Sequence, residues 1–384
     1  MLTPDQLKVA SMLLQPLFER YEDFVIADFA RRISNAGEMT QTAQHQANFG
    51  ASTGVSINKI IAELQRTLKI SERELVRIFE KMGITSVLQT NERLTGDGIN
   101  PIKINELPEL EHIVRECIEQ TNGSLKNFSN TMGFAKRTAN GIMWMKLSDY
   151  YIEAINFAML KVRTGVSDYN SAVKMAIKDI SRSGLQIIDY ESGYHCNIDV
   201  AVRRAVLTGL NQMTTLQSLE IMKELETDLV EVTAHEGARP SHKKWQGKVY
   251  KLHGSTKAYK NLADATGYGT VSGLKGAYCR HSFDAYVEGM SRTWTNDQLK
   301  LIDPPDFKYN GERYTYYKAT QQQRAYERRI RQIRREIVGY NEIGYDNEVT
   351  EAKILLQQKM REYKIFSKIA GLRAKTERHQ VHNL

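Results

Sequence analysis

The chain has 384 residues, of which 41% are hydrophobic and 26% charged, a balance typical of a globular protein with a full apolar core. No apolar run approaches the ~20 residues that a membrane-spanning helix needs, and the first residues lack the basic and apolar segments of a secretory signal. We therefore expect a protein without a membrane partner that stays in the cytoplasm or is assembled there into a particle.

Cysteine usage and charge distribution narrow the class further. Three widely spaced cysteines, Cys117, Cys196 and Cys279, argue against a disulfide-stapled secreted protein. The net charge is +8, and residues 291–384 alone carry 19 Lys and Arg against 12 Asp and Glu. This basic last quarter is suited to contact with nucleic acid or with an acidic protein surface.

Apolar residues recur at three- and four-residue steps along most of the first half, which predicts helices. The predicted helices span residues 4–34, 57–68, 110–120, 148–161 and 169–181.

Polar and glycine-rich segments separate these predicted helices. Residues 34–56 predict a loop or a weak element, residues 90–108 predict a connector, and residues 122–140 predict a long excursion. Ser71 with Glu74 resembles a capping box that begins another helix, and Gly83 predicts where that helix ends.

The periodicity changes in the second half. Residues 184–193 predict a turn, a short strand and a turn, and residues 198–225 predict the clearest long helix. Strands are predicted at 228–235, 248–252 and 281–287. Asn310-Gly311 between aromatic residues predicts a tight hairpin, after which helices are predicted at 320–338 and 348–378.

The pattern as a whole predicts an α+β fold that is mainly α. It has a helical amino-terminal half, a small α+β module with short antiparallel strands and turns, and a basic helical carboxyl terminus. The predicted regions are a helical region at 1–165, a connector with the long helix at 166–226, the module at 227–318 and basic helices at 319–384.

The segment from His235 to His281 concentrates residues that form sites. It holds four of the nine histidines, seven glycines, one tryptophan and Cys279. Such a composition predicts tight turns and a polar network, and hence a binding site or an interlocking structural module. The residues predicted to form it are His235, Arg239, His242, Trp245, Gly247, Gly267, Gly269, Gly276, Cys279, Arg280 and His281.

Zinc is the metal that these residue types would bind. The candidate ligands are His235, His242, Cys279 and His281, and a strand would place residues 279 and 281 on one face. Against this, the chain has no Cys-x-x-Cys pair and no histidine pair at helical spacing. The competing interpretation is that these histidines only bind loop carbonyls, so our expectation is no cofactor, with zinc left open.

Catalysis and nucleotide binding are the alternatives to a structural module. Cys279 beside His242 or His235 would form a nucleophilic pair, but its neighbours match no hydrolase signature. Gly267-Tyr-Gly269 lacks the phosphate-loop pattern. Arg239 and Trp245 are expected to tie loops and fill the core rather than clamp a substrate, so we expect no enzyme here.

A row of arginines follows the hairpin. Arg324, Arg328, Arg331 and Arg335 recur at steps of four, three and four, and Arg334 widens the face. One interpretation is a solvated helix face, partly neutralised by neighbouring glutamates. The other is non-specific contact with double-stranded DNA or with an acidic partner ring.

These segments carry a family resemblance. The motifs are His235-x-x-Ala-Arg239-Pro-x-His242-x-x-Trp245-Gln-Gly247-Lys-Val-Tyr250, Gly267-Tyr-Gly269, Gly273-Leu-x-Gly276 and Cys279-Arg280-His281, flanked by Ile198-Asp-Val-Ala-Val-Arg203-Arg204 and by the segment from Tyr316 to Arg331. The chain resembles the tailed-phage minor capsid protein 2 family, itself distantly similar to the Mu F-like head-morphogenesis proteins, over residues 165 to 380.

The resemblance implies a virion component of the phage head that has few copies and docks on the portal protein or on the major capsid protein of the inner shell. Contact with packaged DNA is a further expectation. Two other interpretations stay open from the residues alone. One is a cysteine- or zinc-dependent hydrolase built on residues 235–281, and the other is a separate DNA-binding protein that uses the basic helices.

Overall fold

The structure, a computed structural model, describes residues 2–36, 43–103, 107–139, 141–189 and 192–374. The basic segment at 375–384, including the end of the helix predicted to reach residue 378, lies outside the described residues.

Helices dominate this part of the chain. In chain order they are α1 (Pro4–Ala10), α2 (Gln15–Ala36), α3 (Ala43–Gly96), α4 (Glu109–Lys126), α5 (Phe128–Thr131), α6 (Leu147–Arg163), α7 (Tyr169–Ser183), α8 (Ile198–Glu224), α9 (Pro240–Lys243), α10 (Leu262–Thr266), α11 (Asn296–Lys300), α12 (Tyr316–Glu342) and α13 (Asp346–Ile369).

The strands are short and form three antiparallel sheets. They are β1 (Met132–Thr138), β2 (Gly141–Lys146), β3 (Gln186–Ile188), β4 (His195–Asn197), β5 (Leu229–Val232), β6 (Val249–Lys251), β7 (Phe283–Tyr286), β8 (Phe307–Tyr309) and β9 (Glu312–Tyr314). Their orders are β2-β1-β3-β4, β6-β5-β7 and β8-β9. The predicted fold class, mainly α with a small α+β module, is confirmed.

The chain forms two compact units, each assembled from separate segments. The first unit comprises Met1–Leu14, Ser71–Leu125 and Val202–Ala319, and the second comprises Gln15–Ile70, Lys126–Ala201 and Thr320–Leu384. The four regions predicted from the sequence are consecutive stretches that differ in composition, so they are not comparable with these two units. They stay a prediction.

The first unit is built around the three-stranded sheet. Its central strand, β5, buries Val230 and Val232 completely. These side chains pack in a core with Phe283 of β7 and Trp245. The loop that follows β5 and the loop that precedes β7 therefore lie at the same end of the sheet, where the candidate site is located.

The second unit is mainly helical, with one four-stranded sheet. Phe29 of α2 packs edge-on against Tyr151 of α6 at 5.1 Å between ring centroids, and both side chains are fully buried. The hydroxyl of Tyr151 donates to the carbonyl of Val25 at 3.0 Å. Apolar burial with satisfied polar groups thus stabilises this helical core.

Several elements confirm the predictions closely. The long helix predicted at 198–225 is α8, and the three predicted strands are β5, β6 and β7. In the hairpin between β8 and β9, Asn310 and Gly311 have φ of 49° and 81°. Two consecutive positive φ angles are what a type I′ turn requires, and Asn-Gly adopts them readily.

The loop predicted at 34–56 is wrong where the structure describes it, because α3 already begins at Ala43. Residues 37–42 lie outside the described residues. Ser71 and Gly83 are not helix ends either, since both lie inside α3. A Cβ at Gly83 would lie 2.9 Å from Cγ2 of Val114 in α4, so this glycine permits close helix packing instead of ending the helix.

The long excursion predicted at 122–140 is also wrong. The segment contains the end of α4, then α5 and β1, and β1 pairs with β2 in a hairpin. A Cβ at Gly133 would lie 2.6 Å from Cζ2 of Trp144, so this glycine makes room for the indole across the strand pair. The glycine content of this segment predicts a loop, whereas in the structure Gly133 permits cross-strand packing.

Candidate functional site

The predicted module lies within the first unit. His235 stands in the loop after β5, His242 lies on the short helix α9, and Cys279 and His281 precede β7. Backbone hydrogen bonds from Ala277 to Val271 at 2.8 Å and from Cys279 to Gly276 at 3.0 Å hold the last segment.

Glycines shape the loop that carries Cys279. Gly267 ends α10 in the left-handed conformation, with φ of 68°. A Cβ at Gly273 would lie 1.9 Å from the carbonyl oxygen of Gly267, and one at Gly276 would lie 2.4 Å from that of Val271. The backbone therefore folds closely on itself, which only glycine permits at these two positions.

Three predicted ligands converge at the centre of the module. The Sγ atom of Cys279 lies 3.8 Å from Nδ1 of His242 and 3.6 Å from Nδ1 of His281. Their potential ligand atoms all lie within 4.8 Å of one another. The exposed fractions of His242, Cys279 and His281 are 3%, 2% and 1%, so the group is sealed from solvent.

Neighbouring acceptors determine which ring nitrogen carries the proton. Nε2 of His242 lies 2.9 Å from the carbonyl of Ser272, which can only accept. Nε2 of His281 lies 3.0 Å from Oε1 of Gln246, and that oxygen already accepts the backbone N–H of His235 at 3.1 Å. Both Nε2 atoms must therefore donate, which leaves both Nδ1 atoms as acceptors next to the sulfur.

His235, the fourth predicted ligand, is not part of this group. Its ring stacks on that of His281 at 4.4 Å between centroids. Its Nδ1 lies 2.7 Å from the carbonyl of Glu236 and 3.1 Å from Nη2 of Arg280. Burial, and then the charge of Arg280, lower the pKa of His235 to about 4, so the imidazole is neutral at physiological pH.

The electrostatics of the cluster favour neutral side chains. Burial lowers the pKa of His242 and lowers that of His281 much further, with His235 and His242 adding to the effect on His281. Burial likewise raises the pKa of the Cys279 thiol, against hydrogen bonds from the backbone and the positive charge of Arg239. A sealed thiol with a raised pKa is a poor nucleophile.

Arg239, Trp245 and Gly247 support the cluster as structural residues. Nη2 of Arg239 donates to the carbonyl of Ala277 at 2.7 Å, which fixes the loop before Cys279. The indole of Trp245 lies 4.6 Å from the ring of His242 and 4.8 Å from that of His281. Gly247 has φ of 67°, a backbone conformation that favours glycine, and a Cβ there would lie 2.6 Å from Cδ2 of Leu299.

Gly269 is placed differently from the other motif glycines. Its φ is 88°, but a Cβ there would meet nothing within 4 Å. Its contribution is therefore backbone conformation and not close packing.

Three residues that complete the site were missed from the sequence. Gln246 orients His281, Asn211 on α8 donates to the carbonyl of Cys279 at 3.1 Å, and Nζ of the half-buried Lys275 lies 4.3 Å from the ring of Phe283. Burial lowers the pKa of Lys275 to about 7. Gln246 lies inside the quoted motif, which was a usable signal, whereas Asn211 is remote in sequence.

The arginine row does not form a single exposed face. Arg324 and Arg328 are exposed, as the solvated interpretation requires. Arg331 instead forms an ion pair with Asp199, and Arg335 is 7% exposed. Arg334 is also partly buried, and burial lowers its pKa to about 10.

Acidic residues of α2 explain why this half of the row points inward. Arg335 Nε lies 3.4 Å from Oε2 of Glu22. Glu19 and Asp23 are the charges that act on Arg334. Burial raises the pKa of Glu19 to about 8 and that of Asp23 to about 7. The arginines do follow helical spacing, but within the second unit Arg331 and Arg335 pair with carboxylates, and Arg334 is partly buried near Glu19 and Asp23.

Comparison with known proteins places the chain among phage proteins. The model of the family described as phage minor capsid protein 2 matches residues 2–366. A protein of the Lactococcus phage LL-H described as a structural protein is 30% identical over 207 residues, which cover 51% of this chain and 52% of that protein. This chain thus spans about half the length of that relative.

No solved structure matches the chain. In the described part of the chain, no helix combines the length and the apolar character that crossing a bilayer requires.

Proposed function

The chain belongs to the phage minor capsid protein 2 family, and from this premise we propose that it is a structural component of the phage head, present in few copies per particle. The family match over residues 2–366 carries the proposal, because it includes segments of both compact units. The relative in phage LL-H, itself described as a structural protein, supports it. The protein then works in the virion, after assembly in the host cytoplasm.

Its docking partner in this proposal is the portal protein or the major capsid protein at the inner shell. The support is an apolar surface on the second unit. Ile152, Phe157 and Leu160 of α6 are 42%, 50% and 57% exposed, and Ile142 of the adjacent β2, which is 62% exposed, lines a common cleft with Phe157. Grouped exposed apolar side chains are typical of protein interaction sites.

Co-expression with the portal, scaffold and major capsid proteins tests both the structural role in the phage head and the docking through α6. The docking variant replaces Ile152, Phe157 and Leu160 by Ser, and the matched control is Leu301→Ser, since Leu301 is an 82% exposed apolar residue in the first unit. We expect particles to incorporate the wild type and the control but not the docking variant.

One result would contradict docking through α6, and a different result would contradict the structural role. Incorporation of the docking variant at the wild-type level would contradict docking through α6 and leave the structural role intact. A wild-type chain that stays separate from every combination, while particles formed without it package DNA normally, would contradict the structural role itself.

Contact with packaged double-stranded DNA is the finer part of the proposal. It is supported by the excess of positive charge in residues 291–384 and by the exposure of Arg324 and Arg328. Arg331, Arg334 and Arg335 face carboxylates and are unsuited to it.

The salt dependence of DNA binding tests this contact. If Arg324 and Arg328 each neutralise one phosphate, replacing both by Ala should reduce the slope of log affinity against log salt concentration by about 1.8. Replacing the exposed Lys257 and Lys260 is the control.

A cysteine- or zinc-dependent hydrolase is the alternative, and we propose instead that the chain performs no turnover. Access is the main argument, because the three converging side chains are each at most 3% exposed. A substrate could not reach Cys279 without opening the loop from Gly267 to Gly276. A separate DNA-binding protein has less support still, because half of its proposed arginine face is neutralised internally.

A further inference from the structure

We propose that His242, Cys279 and His281 bind one Zn²⁺ ion, which fastens α9 to the loop that precedes β7. The inference goes beyond the proposed function, because a role in the phage head does not by itself call for a metal. It concerns the internal structure of the first unit.

The distances match the edges of a zinc coordination tetrahedron. Zinc binds a thiolate at about 2.3 Å and an imidazole nitrogen at about 2.0–2.1 Å, so tetrahedral angles separate S and N ligands by about 3.6 Å. The two sulfur–nitrogen distances in the cluster are 3.8 Å to His242 and 3.6 Å to His281. An ion bound between these atoms would satisfy both sulfur–nitrogen edges, and the two nitrogens lie within 4.8 Å of each other.

In the absence of a metal, the cluster has two acceptor nitrogens but only one thiol proton to share between them. Because both Nε2 atoms donate outward, the two Nδ1 atoms are acceptors that face one sulfur. A single S–H can satisfy only one of them, and a buried acceptor without a donor is costly. Binding of Zn²⁺ would release the Cys279 thiol proton to solvent, make the thiolate a ligand and give both Nδ1 lone pairs a ligand bond.

The surroundings already have the form of an outer shell for a metal site. Histidine ligands usually donate their other N–H to a carbonyl or a carboxylate, which fixes the ring orientation. Here the carbonyl of Ser272 and the side-chain oxygen of Gln246 accept those protons.

The kind of site follows from its burial. Three protein ligands leave a fourth coordination position for a water molecule. The indole of Trp245 packs against both imidazoles. An open position of this kind is otherwise typical of catalytic zinc sites, but here all three ligands are at most 3% exposed, so the site is structural in this proposal. Mixed sulfur and nitrogen ligands suit zinc better than magnesium or calcium.

Metal analysis of the full-length chain tests the proposal. We expect protein purified without chelators from zinc-supplemented cells to hold about one zinc ion per chain by elemental mass spectrometry. Cys279→Ser and His242→Gln should each reduce this content at least tenfold. The matched controls are Cys196→Ser and His253→Ala, which lie outside the cluster and should keep the wild-type content.

Cobalt substitution keeps the test decisive if a ligand variant does not fold. Wild-type chain stripped of metal and titrated with Co²⁺ should show a thiolate-to-cobalt charge-transfer band and tetrahedral absorption bands. Wild-type protein with neither stoichiometric zinc nor the charge-transfer band would overturn the proposal, as would zinc content unchanged by both ligand variants. These measurements use the isolated chain, so incorporation into particles does not affect them.

Discussion

Arg335 and Glu22 form a buried ion pair, with Nε of the arginine 3.4 Å from Oε2 of the glutamate and each side chain 8% exposed. Nη1 of Arg335 also donates to the carbonyl of Ser181 at 3.1 Å, and Oε1 of Glu22 accepts the N–H of Leu185 at 2.7 Å. A Cβ at Gly184 would lie 1.8 Å from the same guanidinium nitrogen. The pair thereby joins α12 to α2 and to the turn after α7.

Replacing Arg335 by Ala should destabilise the protein strongly. The change leaves the carboxylate of Glu22 buried without its partner, which costs ~3–5 kcal/mol. Arg324→Ala is the matched control on the same helix, and because Arg324 is exposed its effect should stay within ~0.5 kcal/mol. Urea denaturation measures both. Equal effects of the two substitutions would show that Arg335 is not inside the second unit.

The pH dependence of stability should reveal Glu19. Burial, followed by the charge of Asp199, raises the pKa of Glu19 from 4.5 to about 8. Between these values the folded chain binds more protons than the unfolded chain, so this group's contribution to the free energy of unfolding falls as pH rises. Glu19→Gln should therefore stabilise the protein more, relative to wild type, above about pH 8 than near pH 5.

Thermal unfolding at a series of pH values provides this comparison. Glu80→Gln, at an exposed position of α3, is the control and should leave the profile unchanged. A Glu19→Gln profile parallel to that of wild type across the whole window would contradict the raised pKa.

Trp245 should be a major source of stability in the first unit. Its side chain is 6% exposed and packs in the core with the two central imidazoles. Trp245→Ala should cost ~3–5 kcal/mol, as other large-to-small core changes do. Leu301→Ala removes an 82% exposed side chain and should change the free energy of unfolding by less than ~0.5 kcal/mol. A small effect of Trp245→Ala in denaturant titrations would mean that the module is loosely packed.

The three cysteines should differ in reactivity toward an electrophile such as iodoacetamide. Cys196 is half-buried, whereas Cys117 and Cys279 are each 2% exposed. Burial raises the pKa of Cys117 to about 11 and also raises that of Cys279. Since the thiolate is the reactive form, peptide mapping after brief labelling of the native protein should find Cys196 modified first. Selective labelling of Cys279 would reveal an activated thiolate and would favour the hydrolase alternative.

Local periodicity was sufficient to predict much of the fold. The stripe of Ile198, Val202 and Val206 predicted α8 because one helix face is continuously buried. Asn310-Gly311 predicted its hairpin because the turn needs two positive φ angles. Gly83 and Gly133 do not mark the ends of elements, since their role is to admit Val114 and Trp144, which only the packed structure shows.

The candidate site was predictable in its composition but not in its geometry. His242, Cys279 and His281 converge as their clustering suggested, yet His235 stacks beside them instead of joining them. The proton positions depend on Gln246, and no pattern of zinc ligands includes that residue type. The arginine row similarly needed a partner helix, because spacing along α12 does not show which half meets Glu22.

Quantitative mass spectrometry of purified, DNA-filled particles tests the central claim most directly. The account predicts that this chain copurifies with the particles at a constant ratio to the portal protein and in far fewer copies than the major capsid protein. Its absence from such particles, while it is abundant in the lysate from which they were purified, would contradict a structural role in the phage head.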